Sequence, residues 1–167
     1  EDLVVGLAER LDALGEPIIA DRAFGEADDC PRPVARIEPG FHALLAAGAV
    51  LTACDEVLAG RDTKAFCLVR PPGHHALPAQ AMGFCLFGHV AIAAKRALDH
   101  HGLSRVAVMD FDVHHGNGTQ DLLWDERRAL YASTHQMPLY PGTGDRHETG
   151  AYGNILNVPL PPGAEGR

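Results

Sequence analysis

The sequence predicts an α/β domain built on a mainly parallel sheet with helices on both faces. Three observations carry that reading. Segments of helical composition alternate with short, nearly continuous apolar runs, the pattern of buried parallel strands. Clusters rich in histidine, aspartate and glycine follow three of those runs, and ligands of open parallel sheets bind outside the carboxyl ends of the strands. A length of 167 residues suits one domain, and a hydrophobic share of 46% fits a soluble globular class.

Each element has its own signal. Residues 2–14 set Leu3, Leu7, Leu11 and Leu14 at helical spacing, so a helix is expected first. EADDCPRP, 26–33, is acidic and broken by prolines, and reads as a surface loop. GFHALLAAGAVLTACDEVLAG, 40–60, is rich in Ala and Leu with Gly60 as a stop, which predicts a helix over most of it. TKAFCLVR, 63–70, is β-prone and ended by Pro71 and Pro72, so a strand is expected there. Another helix is expected from about Gly88 to His100, with Gly102 just past its end and His100–His101 favouring its dipole. RVAVMDF, RALYAS (128–133) and NILNVPL (154–160) complete the set as strands.

Composition also excludes partners. The apolar stretches read as far short of the roughly 18–20 residues that cross a bilayer, and the amino end lacks a basic, apolar, small-residue leader pattern. A net charge of −8 without any cluster of Lys and Arg argues against a nucleic-acid backbone as partner. It is compatible with a cationic substrate. Cys30, Cys54, Cys67 and Cys85 are widely spaced and form no C-x-x-C pair, so they are expected to be reduced, small, buried hydrophobes in a cytoplasmic protein. The chain opens without Met and stops after an apparent strand, so it is expected to be a fragment of a longer sequence.

The chemistry concentrates in DFDVHHGNG, 110–118. In an extended chain Asp110, Asp112 and His114 share one face, while Phe111 and Val113 take the other. A carboxylate and an imidazole two residues apart can reach a single cation. Oxygen and nitrogen donors together suit zinc, and also iron or manganese. Asp110 then stands ready to hydrogen-bond a supporting group or bind another cation. Gly116 and Gly118 bracket Asn117 and let the backbone turn sharply while presenting that amide. The pair His74–His75 follows two prolines and a glycine in a rigid loop. A neutral histidine beside a metal-bound water suits general-base work. Asp110 and Asn117 are the natural groups to fix the tautomers of that pair. Gly83, Phe84, Tyr140, Gly142 and Gly144 lie on loops of the same face, where the two aromatics would wall a narrow apolar channel.

RPPGHHA, GFCLF, DFDVHHGNGTQ, STHQ, PLYPGTG and NVPLPPG strongly resemble, in order and spacing, the zinc-dependent histone deacetylase family. The nearest branch is the class II enzymes and the bacterial acetylpolyamine or histone-deacetylase-like amidohydrolases. The resemblance runs from about residue 40 to the end. It implies an arginase/deacetylase-like fold and hydrolysis of an N-acetyl group on an extended amine, either acetyl-lysine or an acetylated polyamine. Carried over by motif, Asp112 and His114 are implied to be two of three zinc ligands. His75 is implied as general base and acid, and His74 as the neighbour that tunes charge. Asp110 would orient His74, and Asn117 would orient His75; an asparagine there favours the class II branch. Gly83 and Phe84 would line the acyl-lysine tunnel with Tyr140 opposite, and Asp29 resembles the rim aspartate that holds the substrate backbone. A potassium ion is implied near the zinc, at Asp110, the Ser133 hydroxyl and the backbones of Asp112, His114 and Thr134.

Zinc in this family polarises the acetyl carbonyl and lowers the pKa of a bound water from about 15.7 to roughly 7. The family's third zinc ligand and its transition-state tyrosine or histidine belong to later motifs that this sequence does not contain. Residues 1–167 are therefore expected to be one deacetylase catalytic domain lacking its carboxyl-terminal part, and to hydrolyse little on their own. Two other readings compete. An arginase-like ureohydrolase would use D-x-H-x-D, whereas the order here is D-x-D-x-H with a tandem His pair. A non-catalytic acetylated-amine binding module would not need His74, His75, Asp112 and His114 together. Oligomeric state is left open.

Overall fold

Among the residues that the computed structural model describes, 3–6 and 39–164, four parallel strands lie side by side in sequence order. They are β1 (Leu3–Gly6), β2 (Val106–Asp110), β3 (Ala129–Gln136) and β4 (Ile155–Leu160). Between them run helices α1 (Pro39–Leu58), α2 (His89–Asp99) and α3 (Asn117–Leu123). Among the described residues, α2 and α3 pack against one face of this sheet. Alternation along the strands agrees. Val106, Val108, Ala129, Tyr131 and Ile155 are buried beneath Ala91, Ala94, Ala97, Leu98 and Leu123. Alanines at helical spacing give α2 a smooth face that lies close on the sheet. The opposite face exposes Met109, Leu130, Leu156, Val158 and Leu160, an apolar composition typical of a sheet covered on both sides.

Three expectations need correction. Leu3–Gly6 is a strand and not the start of a helix, paired with β2 from Leu3↔Val106 to Gly6↔Met109. The strand preference of two consecutive valines, with β2 as pairing partner, outweighs the leucine spacing; the rest of the expected 2–14 helix lies outside the described residues. The segment 64–69 forms no strand, because no neighbouring strand offers it a ladder among the described residues, and Leu68 stands exposed. The G-N-G read as a turn instead opens α3. The loop 26–33, with Asp29 and Cys30, lies outside the described residues.

Helix α1 also corrects the reading of the apolar stretches. Gly40–Leu58 is long and apolar enough to cross a membrane by length and composition, with a mean hydropathy of 1.5. One side of it packs on the domain, while Phe41, Leu44 and Leu45 stand exposed on the other. Ala43, Ala46 and Ala53 are buried, and Asp55 accepts two bonds from Arg96 of α2, at 2.8 and 2.7 Å. His101, just past α2, bonds the same carboxylate at 2.7 Å, so it does more than favour a helix dipole. The cysteines described are free: Cys85 is buried as expected, whereas Cys54 and Cys67 are half-buried.

Candidate active site

Strand β2 ends at Asp110, and the chain then curls where an extended course was expected. The Asp112 N–H donates to Asp110 Oδ1 at 3.2 Å, and the His114 N–H donates to Asp112 Oδ1 at 2.8 Å. Two successive side-chain-to-backbone turns of this kind compete successfully with a strand ladder. Asp110 is thereby buried beneath the site, while Asp112 is exposed and His114 half-buried at its edge. His114 Nδ1 and Asp112 Oδ1 lie 3.1 Å apart.

The tandem histidines meet this turn from the other side. Gly118 N–H and Thr119 N–H, at the start of α3, donate to the His74 carbonyl at 2.9 and 3.1 Å, which stitches the two loops together. His74 Nδ1 lies 3.1 Å from Asp110 Oδ2. A carboxylate can only accept, so that nitrogen carries the proton. Tyr131 donates its hydroxyl to the same oxygen at 3.1 Å. His75 Nδ1 donates to Asn117 Oδ1 at 2.8 Å, while Asn117 Nδ2 points to Met82 Sδ at 3.3 Å. The His75 ring stands 4.0 Å from that of His74, 6.0 Å from that of His114 and 5.1 Å from that of Tyr140. Separate stretches of the chain, 74–75, 110–117, Tyr131 and Tyr140, thus form one cluster.

Their environments separate the two imidazoles. Burial penalises the charge on His74, but the Asp110 bond, then the Asp110 and Asp112 charges, outweigh it and raise its pKa. Burial lowers that of His75, with the charges of His74 and His114 adding, against the Asn117 bond. Burial works to raise that of Asp110, yet the His74 bond and charge and the Asp112 and Tyr131 bonds hold it below the usual range. The two imidazoles are thus pushed apart: the Asp110 contact favours a proton on His74, and burial disfavours the charged form of His75.

The remaining expected residues are distributed around this centre. Gly83 lies against the His75 ring: a β-carbon on it would sit 2.6 Å from His75 Cγ, and its φ of +56° suits glycine. Phe84 points outward, 91% exposed, into an open cavity of about 690 Å³ that it shares with His42, Arg70 and Met82. Tyr140 leans over both His75 and His114. Ser133 is the register partner of Asp110, buried on the same face, and its hydroxyl bonds His135 Nδ1 at 2.9 Å; Thr134 follows it on β3. Asp29 is outside the described residues.

As a metal centre the donor set fits in part. A carboxylate oxygen and an imidazole nitrogen 3.1 Å apart have the spacing of neighbouring ligands on one small cation. Among the described residues no three His, Cys, Asp or Glu form a complete metal group. Reading the sequence also missed Tyr131, Met82, His115, Gln120, His135 and Glu148. Period-two alternation would have found Tyr131, Ser133 and His135 on one inward face; nothing local marks Gln120 or Glu148.

Comparison with known proteins follows the same lines. The histone deacetylase domain model matches residues 20–167. Histone deacetylase 10, chloroplastic, of Oryza sativa subsp. japonica is 50% identical over 129 residues, covering 72% of this chain and 29% of that protein. Histone deacetylase-like amidohydrolase of Pseudomonas aeruginosa is 50% identical over 135 residues, covering 77% of this chain and 36% of its own length. A probable deacetylase of Archaeoglobus fulgidus is 48% identical, covering 73% and 34%. The chain thus spans about a third of the length of these relatives. The crystal structure of the HDA15 HD domain superposes with a TM-score of 0.68 at 43% identity, covering 71% of this chain and 35% of that one. The α/β fold, the order of the motifs and these matches together establish that the chain belongs to the histone deacetylase domain family, whose members include deacetylases and amidohydrolases.

Proposed function

We propose that the full-length protein removes acetyl groups from acetyl-lysine or acetylated polyamine-type amines, with zinc held by Asp112, His114 and a third ligand from outside the described residues. One observation carries the reading: His75, oriented by Asn117, stands 6.0 Å ring to ring from His114, the imidazole of the donor pair. When bound, a divalent cation would supply Lewis acidity to the acetyl carbonyl and acidify a water.

The chain's own residues would do the rest. His75 Nδ1–H is committed to Asn117, which leaves Nε2 to take a proton from water as its oxygen attacks the acetyl carbon. As the C–N bond breaks, a proton returns to the amine nitrogen, and acetate and free amine leave. His74, whose hold on a proton is strengthened by its bond to Asp110, would favour negative charge developing nearby. Tyr140 and Gly83 would flank the extended amine, with an apolar wall opposite a thin one. Asp110 and Ser133, paired across β2 and β3, would hold a potassium ion together with the neighbouring backbone carbonyls.

The test is hydrolysis of a fluorogenic acetyl-lysine amide and of an acetylated polyamine by the full-length protein, with metal content measured in parallel. We expect activity that disappears with chelator and returns with zinc. Asp112→Ala and His114→Ala should abolish metal uptake, and His75→Ala should keep metal while losing turnover. Turnover indifferent to chelator or to His75→Ala would overturn the mechanism.

A further inference from the structure

We propose that Glu148 and Gln120 are positioning residues that set the shape of the loop carrying Tyr140, and so govern how tightly the acetylated amine is held; the proposal rests on the deacetylase reading above. Tyr140 stands edge-on to His75 and His114, and among the described residues no hydrogen bond holds its hydroxyl there. The residues that follow it are held firmly. Glu148 accepts the Gly144 N–H on both carboxylate oxygens at 3.2 Å and the Asp145 N–H at 3.2 Å. Gln120 Nε2, from α3, donates to the same carboxylate at 2.6 Å.

That single carboxylate fixes the direction of a whole chain of hydrogen bonds. Because Glu148 can only accept, Gln120 must turn its amide nitrogen toward it. Its Oε1 then faces inward and accepts from Asn157 at 2.7 Å and from His115 Nε2 at 3.0 Å. With the proton on Nε2, His115 Nδ1 accepts from the Thr143 hydroxyl at 2.8 Å, back in the same loop. The path starts and ends on the two flanks of Gly144.

Beneath Gly144 the fit is close. Its carbonyl accepts from His135 Nε2 at 2.9 Å, and a β-carbon on it would lie 2.5 Å from that nitrogen and 2.6 Å from His115 Cγ. The backbone at 143–145 is therefore clamped between two buried imidazoles below and one carboxylate at its side. Tyr140, four residues before Gly144, takes its place from this clamp.

The experiment uses the full-length protein in four forms: parent, Glu148→Ala, Tyr140→Ala and the double variant, with Glu148→Gln as the conservative control. For the acetyl-lysine amide, Glu148→Ala should raise KM on the order of tenfold, the effect of one lost charge-assisted bond, with kcat changed less than about threefold. Glu148→Gln should fall between it and the parent. In the Tyr140→Ala background, Glu148→Ala should add nothing to KM, as expected of residues acting as a unit. Hydrogen exchange over 140–148 should accelerate in Glu148→Ala while β3 and β4 stay protected, a readout that needs no turnover. Additive KM effects, equal losses in kcat and KM, or unchanged exchange at Tyr140 would overturn the proposal. An inactive parent whose loop still loosens would instead overturn the deacetylase reading and leave the clamp standing.

Discussion

His75 Nδ1 and Asn117 Oδ1 lie 2.8 Å apart, joining a loop that precedes α2 to the first residue of α3. An amide oxygen fixes the tautomer of the imidazole without lending it a full charge. Burial, the leading cause, then keeps the pKa of His75 below its ordinary value.

Asn117→Asp would put a negative charge at that position and stabilise the imidazolium. We expect the acidic limb of the kcat/KM profile to move up by about one pH unit. A pH–rate series on the two proteins checks it. An unmoved limb would mean that His75 is not the group being titrated.

Gly83→Ala should separate activity from stability. The methyl group would press on the His75 ring at a φ of +56°. Overpacking of this kind costs about 1–3 kcal/mol. Because the ring itself would be displaced, kcat/KM should fall roughly 10²-fold. Denaturant melts beside kinetics give both numbers, and a loss of stability with full turnover would contradict the contact.

Tyr131→Phe removes a buried donor from Asp110 Oδ2 and leaves the packing nearly unchanged. We expect a loss of about 1–3 kcal/mol, since the carboxylate keeps its burial and loses a partner. Urea melts should show a lower midpoint at an unchanged slope.

Acid stability should fall in two stages. His89 Nε2 donates to the Pro71 carbonyl at 3.0 Å, while its buried Nδ1 has no partner among the described residues, and burial lowers its pKa. Its unfolded value is about 6.5, so below that pH the unfolded chain binds more protons and stability drops as pH falls. His115, held down to about 4 by burial first, works in the same sense. Asp55 has its pKa depressed chiefly by the Arg96 bond and then by His101, so its contribution is present above about 3.9 and lost below. Melting temperatures from pH 3 to 8 check this, and His89→Gln should flatten the slope between pH 7 and 5. An unchanged slope would remove His89 from the account.

Much of this protein was legible in its residues. Helices α1 and α2 and strands β2, β3 and β4 followed from alanine-rich periodicity and short apolar runs, because those signals are local and their burial is simple. The clustering of His74, His75, Asp110, Asp112, His114 and Asn117 was readable from motif order. Strand β1 was not, because the register of a parallel pair is set by a partner about a hundred residues away. The failed strand at 64–69 teaches the converse, that β-prone residues need an edge to pair with.

The sequence by itself determined the chemical groups, their order and the family. The tertiary structure decided which group serves which. It gave Asp110 to His74 and Asn117 to His75, curled Asp112 and His114 into one donor pair, and brought Glu148 through Gln120 to His115. Hydrogen bonds across 28 to 42 residues depend on where loops meet in space. Local composition carries no record of that meeting.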